Sequence, residues 1–149
     1  METVHRKRDV APSVLKSLAL ETLATRYPPS QWLYIFTDGS QFDCHFNVGA
    51  GVFSELFSFY APAGYVGTSF DGEVTAICIA LKQLSAILSK FSRAVIFSDS
   101  QAAIQSISTV EHPRTPEISQ CQDYLRTLKL KGKYIVLQWV PSHCGLLNQ

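Results

Sequence analysis

Residues 33–36, Leu-Tyr-Ile-Phe, form an unbroken apolar run. A run without polar alternation predicts a strand with little water on either face, here over about 32–37. It stops at Asp38, with the turn residues Gly39 and Ser40 behind it. A second run, Ala94-Val95-Ile96-Phe97, stops the same way at Ser98-Asp99-Ser100 and predicts a strand over 93–98. Between them, residues 46–61 alternate around glycines and aromatics, with a turn near Ser54-Glu55, as in an antiparallel hairpin. Gly49 and Gly51 lack the third glycine and the following helix of a dinucleotide fingerprint. Glycines in a strand mark a bulge or a close backbone approach instead. A loop over 62–69 leads to a helix over about 70–89, whose inner face reads Glu73, Ile77, Ala80, Leu81, Leu84 and Leu88. The stripe is unusual in being headed by a carboxylate.

After the 93–98 strand a short helix opens at once, with Ser98-x-x-Gln101 spaced as a capping box and Ala102, Ala103, Ile104 and Ile107 as its apolar positions. His112-Pro113 and Thr115-Pro116 punctuate, and a further amphipathic helix over 117–130 turns Ile118, Cys121, Leu125 and Leu128 inward. Tyr134–Val140 predicts the last strand, before a turn at Pro141-Ser142-His143-Cys144-Gly145. The order β-β-β-α-β-α-α-β implies a meander followed by right-handed helical crossovers. The expected fold is α/β: a mixed five-stranded sheet, three antiparallel strands then two parallel, flanked by helices. Residues 1–30 read as an N-terminal arm or linker outside the main core. Leu15, Leu18, Ala19, Thr22 and Leu23 share a weak helical face there, and Pro28-Pro29 ends it. The domain then spans 31–149.

Composition narrows the class. The chain has 149 residues, 46% hydrophobic and 17% charged, which fits one globular domain rather than disorder. The net charge is only +1, so binding to nucleic acid requires basic groups concentrated locally. Cys44, Cys78, Cys121 and Cys144 show no metal-ligand spacing, and Cys78 and Cys121 fall on apolar helical stripes as core thiols. That usage favours a reducing, intracellular setting, cytoplasmic or nuclear. No run approaches the length of a membrane span, and no signal-peptide pattern opens the chain. Arg6-Lys7-Arg8 reads as a solvated terminus.

Counted back by twos, Asp38 shares a face with Phe36 and Tyr34, and Asp99 with Phe97 and Val95. If the two strands are parallel neighbours, both carboxylates reach one sheet edge, where Glu73 heads a buried helical face. Taken singly, each acid has an ordinary structural role: a turn residue, a helix-dipole partner, a neighbour of an N-cap. Taken together, three hard oxygen donors suit magnesium, which keeps waters and accepts phosphate oxygens as further ligands. A pair of such ions supports phosphodiester displacement. His143 is a structural turn residue or, beside such a site, a proton carrier. Neither Ser100 nor Ser142 sits in a G-x-S-x-G elbow.

Four segments in order, Thr37-Asp38-Gly39-Ser40, Gly72-Glu73-Val74-Thr75-Ala76, Ser98-Asp99-Ser100-Gln101 and Trp139-Val140-Pro141-Ser142-His143-Cys144-Gly145, resemble a ribonuclease H domain. The likeness is greatest to the domains of animal non-LTR retrotransposons and covers about 31–145. It implies an endonuclease that hydrolyses the RNA strand of RNA–DNA hybrids. Asp38, Glu73 and Asp99 would be its catalytic carboxylates, holding two Mg2+ ions, with Mn2+ as a substitute. It further implies that Gln101 contacts the minor groove, that Gly39 and Ser40 lie by the scissile RNA, and that His143 assists turnover. RNA would be told from DNA by its 2′-hydroxyl and groove shape. The resemblance also implies a monomer once joined to a reverse transcriptase. The family continues into an Asn-Glu-x-x-Asp segment and a last helix with a fourth acid, where this sequence reads Gly145-Leu146-Leu147-Asn148-Gln149. A C-terminally truncated domain is therefore expected; Asp43, Asp71 and Asp123 lie in the wrong elements to replace that acid. The competing expectations are an impaired retrotransposon remnant that only binds nucleic acid, and a DNA-cutting recombinase or 3′–5′ exonuclease of related fold.

Overall fold

The computed structural model describes residues 21–41, 48–64, 68–109 and 115–141. The elements are β1 (Leu33–Gln41), β2 (Val48–Ser54), β3 (Ser58–Gly64), α1 (Ser69–Ala86), β4 (Arg93–Ser98), α2 (Gln101–Ser108), α3 (Pro116–Leu130) and β5 (Tyr134–Trp139). They form one five-stranded sheet in the order β3-β2-β1-β4-β5. β1, β2 and β3 pair antiparallel, whereas β4 joins β1, and β5 joins β4, in parallel. This is the α/β architecture expected from the sequence, and the condition on the two acidic strand ends is met: Tyr34 pairs with Val95 and Phe36 with Phe97. No described helix is long and apolar enough to cross a membrane.

The strands are apolar on both faces because each face is covered. Ile35, Ala94 and Ile96 are fully buried on one face, beneath Ile77, Leu81 and Leu84 of α1 and Cys121 and Leu128 of α3. On the other face Tyr34, Phe36, Val95 and Phe97 form an aromatic-rich layer. Residues 21–27, read from sequence as the end of an arm outside the core, pack on this second face. Residues 21–26 are helical. Leu23 and Tyr27 are buried there. Tyr34 Oη, whose pKa burial raises, donates to the Tyr27 and Leu23 carbonyls. Tyr27 Oη donates to Gln138 Oε1 at 2.7 Å. The physical reason is the second apolar face itself, which needs a cover. We expect Tyr27→Ala to cost about 3 kcal/mol in urea denaturation, by lost burial plus a cavity. Removal of residues 1–28 is expected to leave a chain without a cooperative transition.

The capping box expected at Ser98 and Gln101 does not form. Ser100 is the N-cap of α2, accepting from Ala103 N at 3.1 Å. Ser98 is instead buried at the end of β4, and its hydroxyl serves the site described next. Cys78 and Cys121 are buried free thiols at the α1–α3 contact, as the core reading anticipates.

Candidate active site

The geometry starts from the first turn of α1. Thr68 caps it with a reciprocal capping box: Asp71 N donates to Thr68 Oγ1 at 3.2 Å, and Thr68 N donates to Asp71 Oδ2 at 2.9 Å. Asp71 is thereby used in the cap. The next turn brings the backbone of Gly72 and Glu73 onto β1 at Gly39. A Cβ on Gly39 would lie 2.2 Å from Glu73 N and 2.4 Å from the Gly72 carbonyl carbon, so only glycine permits this approach.

The β1–β4 pairing ends at Phe36 and Phe97. Past that point the neighbouring backbone and hydroxyl groups need other partners. Thr37 Oγ1 donates to Phe97 O at 2.7 Å and stands 3.2 Å from Glu73 Oε2. Gly39 N donates to Glu73 Oε1 at 2.5 Å, and Ser98 Oγ donates to Glu73 Oε2 at 2.6 Å. Glu73 is 1% exposed. It thus braces the fork where β1 and β4 separate, fully held by protein donors.

Asp38 lies on β1 opposite Gly51 of β2 and is half-buried. Asp99 follows β4 directly and is exposed, and its backbone carbonyl accepts from Trp139 Nε1 at 3.2 Å. Burial pushes the Asp38 carboxyl above its ordinary pKa, and the charge of Asp99 adds to this. Burial also pushes Glu73 up, and the Asp99 charge acts in the same direction. The hydrogen bonds from Ser98, Gly39 and Thr37 only partly oppose that rise. Asp99 therefore stands within electrostatic reach of both other acids. Such a concentration of negative charge is the complement of a divalent cation, and carboxylate oxygens are the donors magnesium prefers. Among the described residues no three His, Cys, Asp or Glu side chains are grouped closely enough to hold one together. The donor chemistry of Asp38, Asp99 and Glu73, all carboxylate oxygens, nonetheless suits such a cation.

Gln101 is exposed as the first residue of α2, directly after the Asp99-Ser100 cap. Gly39 is in the site through its amide. Ser40 is paired in β1 with Gly49. His143 lies outside the described residues. The sequence reading missed Thr37 and Ser98 as partners of Glu73. The signal available was their position: each immediately precedes an acidic strand exit, on the opposite face from the acid and toward the helix.

Raised carboxyl pKa values have a stability consequence whose sign is fixed. A carboxyl whose pKa is higher in the folded chain favours folding when protonated. That contribution is full below the ordinary carboxylate range near pH 4 and is lost as pH rises through the raised values. Bound Mg2+ offsets the repulsion only for the ionised groups. We expect Mg2+ at ten times its Kd to raise stability by about 1.4 kcal/mol at pH 8, to do less at pH 4.5, where protonation of the raised Asp38 and Glu73 carboxyls competes with the cation, and to lose its effect in Asp38→Asn. Thermal melts with and without Mg2+ at the two pH values check this.

The RNase H family model matches residues 30–149 of the chain. No curated protein matches it. The matched span contains the whole sheet, Asp38, Glu73 and Asp99. The chain accordingly belongs to the RNase H family, the ribonuclease H class of nucleases that act on the RNA strand of RNA–DNA hybrids.

Proposed function

We propose that this domain is an endonuclease of the type carried by animal non-LTR retrotransposons, cutting hybrid RNA with two magnesium ions. The observation that carries the reading is the convergence of Asp38 and Asp99, just past the last residues paired between the parallel neighbours β1 and β4, with Asp99 within electrostatic reach of both Asp38 and buried Glu73. Asp38, Glu73 and Asp99 would supply the carboxylate oxygens for magnesium, as the family implies. When bound, the ions supply charge for activating a water and stabilising the leaving oxygen. The chain's own residues prepare that site. Gly39 N–H and Ser98 Oγ fix the orientation of Glu73, and Thr37 ties the end of β1 to β4. Ser40 and the Gly39 backbone lie beside the RNA strand, and Gln101 reads the minor groove from the start of α2. His143 moves a proton at product departure.

The direct test is a labelled RNA–DNA hybrid incubated with Mg2+. Wild type is expected to cut the RNA strand alone, and Asp38→Asn to cut at least about a thousandfold more slowly with an unchanged circular-dichroism spectrum. Equal rates, or cleavage of the DNA strand, would remove the reading. One observation favours the alternative of a binding module without catalysis: both oxygens of Glu73 are occupied by protein donors. Hybrid binding without cleavage by folded wild-type protein would establish that alternative.

A further inference from the structure

The chain's +1 charge conceals a polar distribution. Asp38 and Asp99 follow the last residues paired between β1 and β4, Phe36 and Phe97, and Glu73 accepts from both strands there. At the opposite ends of β4 and β5, Lys90, Arg93, Lys129, Lys131 and Lys133 converge. Their convergence is built by backbone structure. Gly132, at φ 79°, closes α3 in a Schellman turn: Lys133 N donates to Leu128 O at 3.0 Å, and Gly132 N to Lys129 O at 3.0 Å. The turn sets Lys131 and Lys133 at the head of β5, where Tyr134 pairs with Arg93. Lys90 closes the 3-10 turn just before β4.

Among the described residues the only ion pair joins Arg126 to Asp123, so none of these five cations has a carboxylate at ion-pair distance. Lys133 Nζ donates to Phe91 O at 2.7 Å, and Arg93 Nη1 to Gln31 Oε1 at 3.3 Å. Two adjoining cavities open here. One of about 470 Å³ is lined by Trp32, Lys90, Arg93 and Lys133, with Glu55 at its wall. The other, of about 460 Å³, is lined by Lys129, Lys133 and Tyr134. Both volumes suit a small ligand or one segment of a longer one. Trp32 and Tyr134 meet edge to face at 5.9 Å, and Tyr134 is 63% exposed.

We propose that this end of the sheet is a second nucleic-acid site, which holds unpaired strand. Unpaired cations take phosphates, and an exposed aromatic face takes a base that is free to stack. A duplex offers no such face, and an acidic peptide has no base to place on Tyr134. β4 has six residues, so the site lies about 20 Å from the carboxylates. A single-stranded extension of about six nucleotides would cover that distance.

The test is fluorescence anisotropy of the full chain with a labelled oligothymidylate 20-mer in EDTA. No cleavage occurs under that condition, so the outcome is independent of the proposed hydrolysis. Lys90→Gln/Arg93→Gln/Lys131→Gln is expected to weaken binding about tenfold and to flatten the salt dependence by a slope of about 2. Tyr134→Ala is expected to weaken it about fivefold with the slope unchanged. Lys131→Glu, at an exposed turn position, is expected to act in the same direction as the triple variant without touching a packed side chain. Affinities within twofold of wild type in these variants overturn the proposal. So does equal binding of a duplex of the same length, or equal competition by polyglutamate.

Discussion

Gly39→Ala is expected to destabilise the domain by more than about 3 kcal/mol and to abolish hybrid cleavage. The reason is contact between two backbones. The added methyl would lie 2.2 Å from Glu73 N and 2.8 Å from Glu73 Cα, and neither atom can rotate away as a side chain can. Relief requires α1 to lift from β1. That movement would also stretch the bond from Gly39 N to Glu73 Oε1 and uncover the fork between β1 and β4. Gly51 supplies the control. It pairs with Asp38 across the β1–β2 ladder, yet the nearest atoms a methyl there meets belong to side chains: the ring edge of Phe53 at 3.0 Å, 40% exposed, and Tyr60 Cδ2 at an ordinary 3.5 Å. Gly51→Ala is therefore expected to cost less than about 1 kcal/mol. Urea denaturation of both variants, beside wild type, separates a requirement at one approach from a general preference for glycine in these strands. Equal losses at the two positions would show that the Gly39 contact is not decisive.

The sheet was legible because its signals are strong and local. Apolar runs bounded by turn residues gave β1 and β4, and the bounds of β4 agree with expectation residue for residue. β1 runs further, through Asp38 to Gln41, because β2 continues to pair with it after β4 has ended. No propensity marks that extension; the partner strand causes it. Asp99 directly after β4 and Glu73 in the first turns of α1 stand in the elements the pattern indicated, whereas Asp38, expected at a strand exit, lies inside β1 and past only its pairing with β4. What the sequence hid were long-range pairings between ordinary residues. Thr37 and Ser98 look like unremarkable small polar positions, and Leu23 and Tyr27 lie beyond two prolines in a weak pattern. Their roles follow from what the fold leaves uncovered: a buried carboxylate and a second apolar sheet face. The basic end was hidden similarly, because Lys90 and Arg93 are distant in sequence from Lys129, Lys131 and Lys133.

Glu73→Gln is expected to remove at least about a hundredfold of hybrid cleavage while raising the thermal stability of the metal-free domain by a few degrees at pH 8. The loss of cleavage follows from the lost negative charge, and the gain in stability follows from one hydrogen count. Thr37 Oγ1 has a single hydrogen, and Phe97 O at 2.7 Å is its nearer acceptor. Its 3.2 Å approach to Glu73 Oε2 is then better satisfied when the proton belongs to Glu73. Burial and the charge of Asp99 favour the protonated form as well. An amide keeps most of this geometry without charge: its oxygen accepts from Gly39 N, its nitrogen donates toward Thr37, and the Ser98 hydroxyl, which donates to the carboxylate, must rotate to accept from that nitrogen. The gain should appear only as pH rises through the elevated Glu73 pKa, and should be absent near pH 4, where wild-type Glu73 is already neutral. Melting curves across that range, without Mg2+, measure it. The same variant should lose most of the Mg2+-dependent stabilisation, because a neutral amide contributes no charge to the cation. If the Mg2+ effect survives intact, Asp38 and Asp99 hold the metal without Glu73, whose carboxylate then serves only to brace the strand fork. A pH-independent fall in stability would instead show that Glu73 is ionised in the folded chain and held by the Gly39 N–H and the Ser98 hydroxyl.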